Sequence, residues 1–322
     1  QAEDGIRDSV ASRGLGDVYK RQGMSLVNSS MGRSINWLKD SKRLLVKYLP
    51  NDRNEIIDQS EITPSGPKVT ENNGEKAQNR TYQDLIKNPT DAKNFTQLSR
   101  SEIHIVDLQG NKTPFLKAKM YRDVQVSPNG KYVGVVQTVN RQGIVKILDL
   151  DSSQLISIHD FGKKGSISGF FWATNERLVF SVTRPSTRTT ENWGLGQLVA
   201  ANIDGKKTRL IAGWGTDENR KGVHNRAKTD PNRGAYVVHT LPEDKNHIIV
   251  NFYDNAGFND LAKLNINNGK VTYITGSPVI YPSWVLNSNG DLIGVWTADL
   301  ENTSEIYIYK PNHPKGSLES RE

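Results

Sequence analysis

Apolar residues recur along this chain in short alternating runs, and a polar turn introduces each of them. The runs are WLKDSKRLLVKYL (37–49), VSPNGKYVGVV (126–136), WATNERLVFSV (172–182), LPEDKNHIIVNF (241–252) and LNSNGDLIGVW (286–296). Asp and Asn suit the turns because they tolerate left-handed backbone and bond to their own chain. The Val-, Ile- and Leu-rich run after each turn fits a strand buried between layers. A second pattern follows the first four runs: IHIVDLQGNKTPF (103–115), VKILDLDSSQLISI (145–158), LVAANIDGKKTRLI (198–211) and LAKLNINNGKVTYI (261–274). Each reads as strand, turn, strand, the signature of a hairpin.

The turn residues Asp40, Asn129, Asn175, Asp244 and Asn289 are spaced 89, 46, 69 and 45 residues apart. The short spacings match the roughly 40–50-residue unit of a propeller blade. The long ones hold insertions. One turn-strand copy plus one hairpin copy makes a four-stranded antiparallel blade, which must stack on neighbours to bury its faces. The prediction is an all-β fold: an incomplete β-propeller of four-stranded blades over 34–311. About four to five blades are present, the last continued by SEIYIYKP (304–311). A β-sandwich with unrelated hairpins is the competing arrangement, and the register of the copies favours the propeller.

Insertions are expected at 50–98, 184–196 and 213–234. The first turns helix-like over TYQDLIKNPTDAKNF (81–95), where Tyr82, Leu85 and Ile86 fall at helical spacing. Asn88-Pro89 is expected to stop that helix. Residues 23–33 read as a linker and 312–322 as a loose tail.

Composition narrows the chemistry. The net charge is +7, but Lys and Arg are scattered without a basic stripe, so nucleic-acid binding is not expected. No apolar run reaches the ~18 residues of a membrane span. There are no cysteines, which excludes disulfides, zinc ribbons and thiol nucleophiles. Gly-x-Ser-x-Gly is absent, since GSISG (165–169) puts Ile167 at the serine position. The six histidines are isolated, and DNAGFND (254–260) lacks the ligand spacing and closing Glu of a calcium loop. No metal, cofactor or catalytic residue is therefore expected. Trp37, Trp172 and Trp284 lie beside the repeat turns and read as blade packing. Trp193 and Trp214 fall in loops, where an exposed aromatic favours binding.

The first 22 residues, QAEDGIRDSVASRGLGDVYKRQ, have neither the apolar run of a signal peptide nor the acid-poor composition of a transit peptide. Reverse-translated, two blocks resemble a short-read sequencing adapter in order and frame. This stretch is expected to be an adapter-derived arm on a fragment of a longer protein; a natural disordered arm is the alternative.

TPSGPKVTENNGEKAQNRTYQDLIKNPTDAKNF (63–95) and YRDVQVSPNGKY (121–132) resemble the glutamyl-endopeptidase branch of the prolyl oligopeptidase family of serine peptidases. FFWATNERLVFSV (170–182), LVAANIDGKKTRLIAG (198–213) and VVHTLPEDKNHIIVNF (237–252) resemble its dipeptidyl-peptidase and acylaminoacyl-peptidase-like branch. The two likenesses meet near SPNGKY (127–132), so an assembly chimera and a natural intermediate both stay open. The resemblance implies a propeller that gates and helps bind peptide substrates for a C-terminal α/β-hydrolase domain. That domain is absent from this chain, and the location implied is periplasmic or secreted. On the same basis Arg80, Tyr82, Glu191, Trp193 and Trp214 become the loop candidates for substrate binding. A stand-alone TolB- or WD40-like propeller, acting as a protein- or peptide-binding module, is the alternative.

Overall fold

Antiparallel strands follow each polar turn, as the alternation requires. The computed structural model describes residues 26–58, 86, 88–140, 142–162, 165–185, 192–214, 233–257, 259–298, 304–310 and 317–321. The chain forms two compact units, 1–71 with 80–124 and 72–79 with 125–322.

The first unit holds β1 (Ile35–Trp37), β2 (Arg43–Tyr48), β3 (Arg100–Asp107) and most of β4 (Lys112–Val126), hydrogen-bonded in that order. On one face Val46, Tyr48 and Val106 cluster with Leu44. Lys47 is buried on the other face, its ammonium donating to the Met31 carbonyl. Burial pulls its pKa down, and the Asp123 carboxylate offsets part of that.

Helix α1 (Pro89–Ser99) begins at Asn88-Pro89, the pair expected to end one; Tyr82 and Leu85 of that expected helix lie outside the described residues. Asn88 is its N-cap. The Asn88 side chain accepts from the Asp91 amide at 2.9 Å, and the Asp91 carboxylate accepts from the Asn88 amide at 3.2 Å. Proline suits the first helical position because the N–H it lacks has no partner there. Residues 26–33, read as a linker, are tied down as well. Asn28 is buried, and its amide donates to the carbonyls of Leu98 (2.9 Å) and Arg100 (2.8 Å) at the end of the helix.

The second unit carries four successive sheets. The first joins the end of β4 (Gln125 and Val126) to β5 (Tyr132–Val139), β6 (Gln142–Asp149) and β7 (Leu155–His159), hydrogen-bonded in that order. Next come β8 (Ser166–Trp172), β9 (Arg177–Pro185), β10 (Asn192–Asn202) and β11 (Arg209–Ala212). The third is β12 (Gly234–His239), β13 (His247–Tyr253), β14 (Asn259–Asn265) and β15 (Val271–Gly276). The last is β16 (Ser283–Leu286), β17 (Leu292–Ala298), β18 (Ser304–Lys310) and β19 (Ser317–Arg321). These last three sheets are four-stranded, with strands paired in chain order. Strand β19 replaces part of the loose tail expected at 312–322, because Ser317–Arg321 pairs with Lys310–Ile306.

The stacking makes these sheets blades. Leu178, Phe180 and Val182 of β9 pack with Val136, Val145 and Ile147 of the preceding sheet. Val179, between them, points to the other face and joins Ile248, Val250 and Phe252 of the following sheet. Ile249 of β13 in turn meets Trp284, Leu286 and Leu292 of the last sheet. Successive side chains thus serve successive interfaces, which explains runs that are apolar at nearly every position. Burying each Phe or Ile contributes roughly 1.5–3 kcal/mol. The fold is an incomplete β-propeller of four-stranded blades.

Candidate functional site

Chain direction sorts the connections. In an antiparallel four-stranded sheet the first and third turns share one end, and the middle connection lies at the other. The tight Asp, Asn and Thr turns occupy the first end. Asp40, Asn129, Thr174, Asp244 and Asn287 accept backbone N–H bonds in the first turn of their sheets. Asp107, Asp149, Asp204 and Asn265 do the same in the third. In two copies the acceptors are Thr174 and Asn287, in place of the expected Asn175 and Asn289. In the second unit both insertions leave from the opposite end, through the β9–β10 and β11–β12 connections. The insertion at 50–98 leaves the first unit's sheet in the same manner, between β2 and β3.

Three glycines shape the insertion end of the second unit. The β9–β10 register shifts between Gly194 and Gln197, so the GLG segment forms a bulge. Gly196 takes φ +56°, and a Cβ there would meet the Ala235 amide nitrogen at 2.5 Å. Gly213, at φ +113°, would meet Gln197 Cα at 2.4 Å. At Gly234 the space of a side chain is already filled by the Tyr253 ring (2.4 Å) and Trp214 Nε1 (2.8 Å).

Polar contacts fix the aromatic groups that gather there. Gln197 is 3% exposed. Its Nε2 donates to the Trp214 carbonyl at 2.6 Å, and its Oε1 accepts from Arg184 Nε at 3.0 Å. The rings of Tyr236 and Tyr253 lie 6.2 Å apart, tilted by 37°. Burial raises the pKa of both phenols, and the neighbouring Tyr253 adds to the rise at Tyr236, so both remain hydrogen-bond donors at neutral pH. Arg233 borders the group, reaching Asp260 Oδ2 at 2.5 Å and the Phe252 carbonyl at 3.3 Å. Burial opposes its charge, but Asp260 and Tyr273 together outweigh burial and raise its pKa. Behind them the buried Asn251 donates to Asn259 Oδ1 (2.8 Å) and accepts from Trp284 Nε1 (2.6 Å).

Of the predicted site residues, the structure brings Trp214 into this cluster. Trp193 belongs to strand β10, its backbone paired with Arg184, and not to a loop. Arg80, Tyr82 and Glu191 lie outside the described residues. Sequence reasoning missed Arg184, Gln197, Tyr236 and Tyr253. The spaced glycines Gly196, Gly213 and Gly234 were the available signal, since each marks a close approach of neighbouring atoms.

The described histidines are held in local contacts. His247 pairs with Asp244 at 3.0 Å, and His239 Nδ1 accepts from the Leu241 amide at 3.0 Å. His159 lies buried on Phe180, ring centroids 4.8 Å apart. Ser157 Oγ is 3.4 Å from His159 Nε2, but its hydroxyl donates to the Ile203 carbonyl. Among the described residues no three His, Asp or Glu side chains converge as metal ligands. Among them also, no helix is long and apolar enough to cross a membrane.

No family model matches the chain. The chloroplastic "Probable glutamyl endopeptidase" of Oryza sativa subsp. japonica is 31% identical over 109 residues, 34% of this chain and 11% of that protein. Its Arabidopsis thaliana counterpart is 29% identical over 147 residues, 45% of this chain and 14% of that protein. The chain thus matches about a seventh or less of the length of these curated relatives. Among solved structures, the β-propeller domain of the Trilobed protease from Pyrococcus furiosus is similar at TM-score 0.47 and 12% identity, over 90% of this chain and 70% of that one. TolB from Acinetobacter baumannii is similar at TM-score 0.40 and 15% identity, over 69% and 49% of the two chains.

Proposed function

We propose that this chain is the non-catalytic propeller portion of a prolyl-oligopeptidase-type serine peptidase. In this reading it gates entry and helps bind extended peptides for an α/β-hydrolase domain, in a periplasmic or secreted protein. The observation that carries the reading is the similarity of 109 residues to a glutamyl endopeptidase at 31% identity. The cluster of Trp214, Tyr253, Tyr236 and Gln197 at the insertion end adds to it. Flat aromatic rings offer contact area at low entropic cost, and fixed polar groups beside them orient a peptide backbone.

Titration of fluorescein-labelled unstructured peptides, read by polarisation, tests the binding role. The expected result is saturable binding that Trp214→Ala weakens about tenfold, the loss of one aromatic contact of ~1.4 kcal/mol. Absence of saturable binding sinks the role. A fluorophosphonate probe tests the non-catalytic part: no labelling is expected, and labelled chain would contradict it. The alternative, a stand-alone TolB- or WD40-like module, rests on blade turns such as SPNGKY (127–132) that both kinds of propeller use. Binding of folded proteins in preference to short peptides would favour it.

A further inference from the structure

Two guanidinium groups meet where the second and third sheets of the second unit join at the turn end. Arg177 opens β9 and is 6% exposed. Its side chain crosses to the next sheet, where Nε and Nη2 donate to the Ile266 carbonyl at 3.1 and 2.9 Å. Its other bonds go to Asn202 Oδ1 (2.7 Å) and the Lys207 carbonyl (3.3 Å). Arg209 opens β11 and makes the same crossing, its Nη1 donating to the Asn267 carbonyl at 3.3 Å. Ile266 and Asn267 are consecutive, so the two cations grip adjacent carbonyls.

Carbonyls satisfy N–H groups but leave the charges standing. Among the described residues neither arginine has a carboxylate partner. Asp204, the acid of the adjoining turn, pairs with Lys206 at 3.3 Å and accepts from its backbone amide. Glu176 beside Arg177 is exposed and bonds to neither guanidinium. Burial lowers the Arg177 pKa, and the charge of Arg209 lowers it further. A buried charge is costly without an opposite one, and like charges this close repel. One more group stands unanswered: Arg209 Nε is enclosed and has no acceptor. Together with Nη2 it forms the side of the guanidinium that takes an oxyanion through two parallel bonds.

We propose that Arg209, backed by Arg177, holds an oxyanion at this blade junction, a phosphate or carboxylate group on the Nε and Nη2 side of Arg209. Such a group supplies the negative charge that the two arginines lack. It also ties the β10–β11 hairpin of one blade to the β14–β15 turn of the next. Lys207, exposed in the same hairpin, adds a positive charge to the approach. The site lies at the end of the sheets away from the aromatic cluster, and it does not depend on the peptidase reading.

Thermal melts of the full chain in inorganic phosphate, in acetate and in chloride, at one ionic strength, test it. Wild type is expected to melt about 2–4 °C higher in phosphate, at about five times its dissociation constant, than in chloride. Arg209→Gln is expected to lose that rise and, in chloride, to melt no lower than wild type, because the repulsion on Arg177 is gone. A purely structural Arg209 would instead lower the melt equally in every salt. General salt effects act on both proteins, so the difference between them is what is read. If Arg209→Gln does not fold, Arg209→Lys carries the test: it keeps the charge but not the fork, and should keep less than half of the rise. A rise with either salt supports the site, and which salt gives it tells phosphate from carboxylate. No rise in wild type with either salt overturns the proposal, and so does an undiminished rise in the Arg209 variants.

Discussion

Gly234 is a position where a single methyl group is costly to the aromatic cluster. Its Cα faces the Tyr253 ring and the Trp214 indole, so alanine forces the aromatic cluster apart. Gly234→Ala is expected to lower stability by about 1–3 kcal/mol, the usual range for overpacking, and to weaken peptide binding. Gly169→Ala is the control: a Cβ there meets nothing within 4 Å, and a change below about 0.5 kcal/mol is expected in urea melts. Arg177 is a second sensitive residue. Its buried guanidinium meets no carboxylate among the described residues and donates to the carbonyls of Ile266 (2.9 Å) and Lys207 (3.3 Å) and to Asn202 Oδ1 (2.7 Å). Arg177→Ala strands those acceptors, and a loss of about 2–3 kcal/mol is expected in the same melts. His159 sets a pH dependence. Burial lowers its pKa in the fold, so the unfolded chain takes up a proton first as the medium is acidified. Its contribution is full above the unfolded value of about 6.5 and is lost as pH falls toward the folded value. His159→Leu should flatten stability between about pH 7 and 5, and an unchanged slope would contradict this assignment. The turn carboxylates Asp149 and Asp244, whose folded pKa values are lowered, act in more acid solution. Their contribution is present above the unfolded carboxylate value and lost as pH falls through the folded one.

At the level of elements, Asn-Pro carries two meanings that sequence alone does not separate. Proline excludes a helical conformation from the residue before it, which makes the pair look like a terminator. The same restriction suits an N-cap, whose backbone is extended: Asn88 has φ −149° and ψ 170°. The deciding signal was Asp91, three residues on, which completes the reciprocal capping bonds. Asn88→Ala should cost about 1 kcal/mol and speed amide exchange over 90–92, whereas unchanged exchange would mean that the cap is idle. Trp193 and β19 were misplaced for a related reason. Strands β9 and β10 extend through polar residues, Arg184 with Trp193 and Thr183 with Gly194, where alternation gives no signal. SLESR (317–321) is likewise too polar to read as a strand, and pairing with β18 decides its conformation. By contrast the hairpins at 145–158 and 261–274 were legible from composition, because Asp149 and Asn265 close their turns by local bonds.

For the molecule as a whole, the spacings of 46 and 45 residues between turn residues Asn129–Asn175 and Asp244–Asn289 carried the blade architecture. They did so because each blade is one local unit that stacks on its neighbours. The site was less legible. Trp214 stood out as a loop aromatic, but its partners Gln197 and Tyr253 lie on strands that the bulge at Gly194–Gln197 and the glycine at 234 bring near it. Such approaches depend on register, which composition does not encode. The central claim is that extended peptides bind at the insertion end of the second unit. Amide hydrogen exchange with and without a pool of unstructured peptides tests it most directly. The account predicts slowed exchange at 192–197, 213–214 and 233–236, with no change at the opposite-end turns 174–176, 244–247 and 287–291. Protection confined to those turns, or no protection at all, would contradict it.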